Sequence, residues 1–283
     1  MRLRKTAAFA ASAFALSLAL SACGSDDSNG NGGSGNGGDG ESDSLTIGIK
    51  YDQPGLGLQT PSGDFTGFDV DVAKYVAAEL GVDADNIEWK QALTPERENL
   101  LKAGDVDMIF ATYSISDERK QEVSFAGPYF IAHQDLLMRA GETISETEDI
   151  NDLTLCSVTG STSAQNVRDD FAPEAELQEY GGYSECLNGL ESGVLDALTT
   201  DDTILAGYAA QSEHEGKFEL AGLNLSDEFY GVGIPKGDTE LQGKINDALQ
   251  KMIDEGAWAK AVEDNLGPAG YETPEAPEIT ETS

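Results

Sequence analysis

Two short segments of this 283-residue chain carry small hydroxyl side chains where an anion could be held. Ala111-Thr112-Tyr113-Ser114-Ile115-Ser116 leads into Asp117-Glu118-Arg119-Lys120, and Val158-Thr159-Gly160-Ser161-Thr162-Ser163 leads into a predicted helix. Each follows an apolar run that reads as a strand. The first N–H groups of a helix have no intrahelical partner, so such loops offer donors to a carboxylate. Taken singly, each is an ordinary capped helix start, because Ser, Thr and Asp are the preferred N-caps. Together they form the two halves of an anion clamp. Nothing else in the chain competes as chemistry. There is no G-x-S-x-G elbow, no H-E-x-x-H and no phosphate-cradling Gly-rich loop with a Lys. The two histidines, His133 and His214, have no ligand spacing to each other or to the cysteines. Neither catalysis nor a metal nor a cofactor is expected.

The elements that must position these loops alternate. Leu45–Tyr51 reads as a strand. Asp69–Leu80 reads as a helix capped by Asp69, with Val72, Val76 and Leu80 on one face and Gly81 ending it. Thr94-Pro95 opens a helix that runs to Gly104, since Pro at the first helical position forfeits no hydrogen bond. Val106–Ala111 is a short apolar strand. The second half repeats the pattern: strand Leu153–Val158, helix Ser161–Phe171, helix Ser184–Glu191, strand Leu195–Thr199, helix Asp202–Gln211 and strand Tyr230–Ile234. A helical stretch interrupted by Gly256 then fills Thr239–Leu266. Alternation of this kind predicts mostly parallel sheets, with ligands outside the carboxyl ends of the strands.

The ends have a different character. Arg2, Arg4 and Lys5, the apolar run Ala7–Leu20 and then Leu20-Ser21-Ala22-Cys23 describe a secretory signal. The run is too short to span a membrane. Leu20 to Cys23 resemble the bacterial lipobox, which implies a signal peptide at 1–22 and a lipid on Cys23, holding the protein to the outer face of the cell membrane. Residues 23–43 are almost wholly Gly, Ser, Asn and Asp, a composition that forms a tether with a span of roughly 25 Å. Residues 268–283, rich in Pro and Glu, are expected to be loose. Without residues 1–22, which hold three basic and no acidic residues, the formal charge of −35 becomes −38. So acidic a chain argues against nucleic acid or anionic headgroups as partners. Any anion site must concentrate its few bases against that field. With Cys23 assigned to lipid, Cys156 and Cys186 remain as an even pair in an oxidising compartment, which favours a disulfide worth roughly 3 kcal/mol. Two free thiols are the weaker alternative.

The body also carries a resemblance. Gly67-Phe68-Asp69-Val70-Asp71-Val72 through Leu80, the loop ATYSISDERK, Gly127-Pro128-Tyr129-Phe130, Gly160-Ser161-Thr162-Ser163, Asp196-Ala197 with Asp201, and Tyr230-Gly231-Val232-Gly233 before Pro235-Lys236-Gly237 resemble, in order and spacing, family 3 of the bacterial extracellular solute-binding proteins. KYDQPGLG, LCSV and DALTTD resemble the actinobacterial glutamate-binding lipoproteins of ABC importers, which carry the same cysteine pair. The resemblance implies a monomeric, two-lobed α/β protein of the periplasmic-binding-protein type II fold. Lobe 1 would comprise 44–129 and 233–267, and lobe 2 would comprise 130–232, hinged near Pro128–His133 and Phe229–Gly233.

It also implies a ligand set. Arg119 would hold an α-carboxylate bidentately, with backbone and hydroxyl donors at Ser114 and Thr162. Asp201 would pair with the α-ammonium, helped by the carbonyl of Thr112. Lys50 and Arg97 would face a distal carboxylate, and Tyr51 would pack on the ligand's methylenes. L-glutamate is the expected ligand, aspartate is one methylene away, and a membrane permease is the expected partner. A sensor, a glutamine-selective binder and a dehydratase of the same fold are the alternatives.

Overall fold

The computed structural model describes residues 44–144 and 146–282. The signal segment 1–22, Cys23 and the linker 23–43 lie outside them. Strand β1 (Leu45–Ile49) leads through the short strands β2 (Asp52–Gln53), β3 (Gly57–Gln59) and β4 (Phe65–Thr66) to helix α1 (Phe68–Glu79). Then come β5 (Ile87–Gln91), α2 (Arg97–Ala103), β6 (Met108–Phe110) and α3 (Asp117–Glu122). The 16-residue strand β7 (Ser124–Arg139) carries the chain into the second lobe. There β8 (Thr154–Val158), α4 (Thr162–Asn166), β9 (Glu176–Tyr180), α5 (Tyr183–Ser192), β10 (Ala197–Asp201), α6 (Asp202–Ala209) and β11 (Phe218–Leu220) follow. Strand β12 (Asp227–Ile234) returns to helices α7 (Thr239–Asp254) and α8 (Ala257–Leu266).

The strand order is β5-β1-β6-β12-β7-β10-β8-β9, with β11 beside β7. The expectation of parallel sheets holds at the flanks: β5-β1-β6 on one side and β10-β8-β9 on the other are parallel. The centre differs. Strand β12 pairs antiparallel with the first half of β7, from Ile234↔Ser124 to Asp227↔His133. Strand β10 pairs antiparallel with its second half, from Asp201↔Gln134 to Ala197↔Met138. One long strand therefore belongs to both lobes, and β12 runs beside it where the lobes meet. Phe68, Tyr129, Phe130, Tyr230 and Trp258 pack there with ring centroids about 5–6 Å apart.

Helix α1 starts one residue earlier than expected, and Asp69 does not cap it. The carbonyls of Gly55 and Leu56 accept from the N–H groups of Phe68 and Asp69 instead. A side chain at Gly67 would put its Cβ 2.0 Å from the Leu56 carbonyl oxygen, so only glycine permits this approach. The backbone cap leaves the Asp69 carboxylate free for other work. Cys156 on β8 and Cys186 on α5 are disulfide-bonded, which ties α5 to the sheet of the second lobe. Among the described residues no helix is long and apolar enough to cross a membrane.

The C-terminal residues require a correction, since they are not loose. After a 3-10 turn at Gly267–Ala269 the chain runs on without regular secondary structure and is pinned. Tyr271 donates to Asp202, Ala276 and Ile279 pack on the core, and the N–H groups of Thr280 and Glu281 both donate to the Gly127 carbonyl. Lys120 pairs with Glu281 at 2.6 Å. Composition predicted a solvated tail, but a few apolar residues and backbone hydrogen bonds suffice where a ready surface exists.

Candidate binding site

A cleft between the lobes is lined from the first lobe by Thr94, Arg97, Thr112, Ser114 and Arg119, and from the second by Ser161, Thr162, Ser163, Tyr183, Asp201 and Ile204. Thr94 opens the 3-10 turn that leads into α2, Arg97 is the first residue of α2, Thr112 and Ser114 follow β6, and Arg119 is on α3. Asp201 ends β10, where it precedes α6, and Tyr183 is the first residue of α5. These are strand and helix ends facing one another, as the alternation required.

Arg119 spans the cleft. Its Nη1 donates to the Ser114 carbonyl at 2.7 Å and its Nη2 to the Gly160 carbonyl at 3.0 Å. Glu98 lies 3.8 Å from its Nε. Arg97 lies with its guanidinium carbon 4.0 Å from the Tyr113 ring centre, a cation–π contact that Arg119 shares at 5.2 Å. Arg97 Nη1 donates to the Ala111 carbonyl, and its buried Nε has no hydrogen-bond partner among the described residues. Burial and then the neighbouring Arg119 charge push Arg97 down to about 10. Lys50 is 5 % exposed, and burial followed by Arg97 pushes it down to about 7. Its Nζ donates to Thr94 Oγ1 at 2.7 Å, so Thr94 stands between it and the cleft.

On the opposite wall Asp201 accepts from Tyr230 at 2.7 Å and from Ser163 at 3.4 Å. Burial, and then the Glu228 carboxylate, push its carboxyl up to about 8. Thr162 gives its hydroxyl hydrogen to Glu228 at 2.8 Å. What Thr162 can offer a ligand is therefore its backbone N–H. Thr112 has a φ of 45°, rare for a non-glycine residue. Asp69 holds it there by accepting from its N–H at 2.9 Å, and also accepts from Tyr129 at 2.8 Å. Burial raises Asp69 to about 6 despite those bonds.

The structure thus brings six of the eight ligand residues expected from sequence to the cleft: Arg97, Thr112, Ser114, Arg119, Thr162 and Asp201. Lys50 stands one residue behind. Tyr51 does not join them: its ring packs on Phe65 at 4.9 Å and its hydroxyl donates to the Trp89 carbonyl. Successive residues leaving a strand point to opposite sides, so Lys50 and Tyr51 could not both face the cleft. Sequence reasoning missed Tyr183, Thr94 and Glu228. Glycine flanks before a helix were a signal for Tyr183, but nothing local marked Glu228. Among the described residues no cluster of His, Cys, Asp and Glu is arranged to hold a metal ion.

The chain is 48% identical to the glutamate-binding protein GluB of Corynebacterium efficiens, over 79% of each chain. It is 39% identical to the ABC transporter glutamine-binding protein GlnH of Bacillus subtilis, over 76% of this chain and 78% of that one. Among solved structures, an ancestral arginine-binding protein bound to arginine superposes with a TM-score of 0.72 at 32% identity, covering 79% of this chain and 98% of the other. The solved structural neighbours are two-lobed amino-acid-binding proteins of the type II fold, and the mixed sheet and the cleft between lobes have that plan. Residues 45–268 match the family description throughout, and the chain belongs to the bacterial extracellular solute-binding proteins, family 3.

Proposed function

We propose that this chain is an extracytoplasmic lipoprotein that captures an acidic amino acid, L-glutamate, for an ABC importer. The observation that carries the reading is the pair of opposed walls: Arg119 with Arg97 on one, and Asp201 on the other. Arg119 would take the α-carboxylate, Asp201 and the Thr112 carbonyl the α-ammonium, and Arg97 the distal carboxylate. The backbone of Ser114 and Thr162 completes the α-carboxylate site. The names of the Corynebacterium relatives support the ligand. The Bacillus relative favours glutamine as the second reading.

Lobe 1 is assigned to 44–129 and 233–267, and lobe 2 to 130–232. Their rotation about β7 and β12 would close the cleft, because only then do both walls reach one small molecule. The lipid on Cys23 and the linker 23–43 would keep a monomer near its permease. A permease reading the closed form would supply the transport step, so no catalytic group is required of this chain.

The test is calorimetric titration of the secreted Cys23→Ser chain with L-glutamate, L-aspartate and L-glutamine, alone and with Arg97→Ala. Micromolar or tighter glutamate binding that weakens roughly a hundredfold in Arg97→Ala is expected, the scale of a lost charge-assisted bond. No binding of any amino acid would remove the reading.

A further inference from the structure

The distal end of the cleft is rich in groups set to give hydrogen bonds, and this bears on which ligand is chosen. Lys50 does not reach the lining. Its Nζ gives a hydrogen to the Thr94 oxygen at 2.7 Å and occupies one of that oxygen's two lone pairs. The hydroxyl hydrogen of Thr94, which does line the cleft, is left to donate. Tyr183 is set in the same way from the other lobe. Its hydroxyl oxygen accepts from Thr200 Oγ1 at 2.7 Å, which leaves the phenolic hydrogen as the group to give. Arg97, with its partnerless buried Nε, is a donor throughout. The one carboxylate among the lining residues is Asp201, already engaged by Tyr230 and Ser163.

We infer that Thr94, oriented by Lys50, and Tyr183 join Arg97 in a donor-rich distal pocket that selects a side-chain carboxylate over a carboxamide. The inference rests on the amino-acid-capture reading and decides what that reading leaves open between glutamate and glutamine. A carboxylate presents acceptors only. A carboxamide presents one acceptor and two N–H groups, and in this pocket those N–H groups would meet the Arg97 guanidinium, which accepts nothing, and only the single lone pairs that Thr94 and Tyr183 keep. A buried polar group without a partner weakens binding by roughly tenfold to a hundredfold. Lys50 is then a positioning residue: it determines which way the Thr94 hydroxyl points.

The experiment is calorimetric titration of the secreted Cys23→Ser chain with L-glutamate and L-glutamine, repeated with Tyr183→Phe, Thr94→Val, Thr94→Ser and Lys50→Met. The ratio of the two dissociation constants is the readout, because a merely structural role would weaken both ligands together. The parent is expected to prefer glutamate by roughly a hundredfold. Tyr183→Phe and Thr94→Val should each lower that ratio about tenfold, Lys50→Met should lower it in the same direction, and Thr94→Ser should keep it. A parent that binds both ligands equally, or glutamine better, overturns the pocket while amino-acid capture stands. So does a parent preference unchanged in Tyr183→Phe and Thr94→Val. Should one of these two variants fail to fold, the ratio in the other decides. A parent that binds neither ligand overturns both readings.

Discussion

The two walls of the cleft differ in sign, and each is built from charges that disfavour one another. The first lobe gathers Lys50, Arg97 and Arg119 in a chain that otherwise carries few bases. Burial and mutual repulsion hold Lys50 and Arg97 below their ordinary values. The second lobe sets Asp201 beside Glu228, and burial with that repulsion raises Asp201. The obvious relief would be for the walls to pair, and they do not. Arg119 crosses to the carbonyl of Gly160, and among the described residues no ion pair joins it to Asp201. The walls complement a third body with an ammonium at one point and carboxylates at others. Charge held in poor company is what a binding site, rather than a stabilising ion pair, looks like.

Removing the charge that crosses the gap breaks this contrast most severely. Arg119→Ala leaves a ligand carboxylate buried without its cation, a change worth about 2–5 kcal/mol, or roughly thirtyfold to several thousandfold in the dissociation constant. A glutamate titration that moved by less than about fivefold would mean that Arg119 is only an interlobe brace.

Asp201→Asn separates binding from stability. The folded carboxyl titrates near 8 against an ordinary 3.8, so the folded chain holds this proton more tightly than the unfolded one. That difference costs nothing below about pH 4. It grows as pH rises through the interval between the two values and is complete above about 8. Asparagine has no such cost. The variant should therefore outlast the parent in denaturant at pH 9, by a margin on the order of a few kcal/mol, with the gap closing towards pH 4. It should lose glutamate binding across the range. Equal stability at pH 9 would place the Asp201 carboxyl in a far wetter setting than its burial indicates.

How much of this was legible from sequence differs between the two walls. Arg119 and Asp201 could be placed because each belongs to a run of several matched residues. Thr112, Ser114 and Thr162 came with their loops. Helices α7 and α8 were visible as one apolar pattern broken at Gly256, which takes a left-handed φ of 75° between them. What failed depended on contacts distant in the chain. The carbonyls of Gly55 and Leu56 displaced Asp69 from its expected cap. Glu228 reaches Thr162 across 66 residues. Strand β7 could not be read as one strand, because its halves serve different sheets and no single periodicity spans them. The Lys50–Thr94 bond is long-range too, across 44 residues. It sets Lys50 behind Thr94 rather than in the lining of the cleft.

The smallest expected effect probes whether the walls are set against each other from outside the cleft as well. Tyr271, on the C-terminal strap, donates at 3.1 Å to Asp202, the residue next to Asp201, while its ring meets Phe130 on the shared strand β7 at 6.1 Å. A second tie crosses nearby: Tyr208 on α6 donates to the Asp52 carbonyl at 2.6 Å, and Gly207 is so close to Pro54 that a Cβ would fall 2.2 Å from its carbonyl oxygen. The Tyr208 contact joins the lobes and the Tyr271 contact ties the strap that follows α8 to the second lobe, and neither touches the lining of the cleft. Tyr271→Phe removes one hydrogen bond to a carboxylate and keeps the ring. If the bond favours the arrangement in which the walls face each other, glutamate should bind roughly three- to tenfold more weakly, since one such bond is worth about 1 kcal/mol when partly exposed. The distal preference for carboxylate over carboxamide should not change, because both ligands need the same closure. Unchanged glutamate affinity with a lower unfolding temperature would assign Tyr271 to holding the strap alone. A shifted preference between the two ligands would mean that the strap reaches the pocket, and the two walls would then have to be treated as one coupled surface.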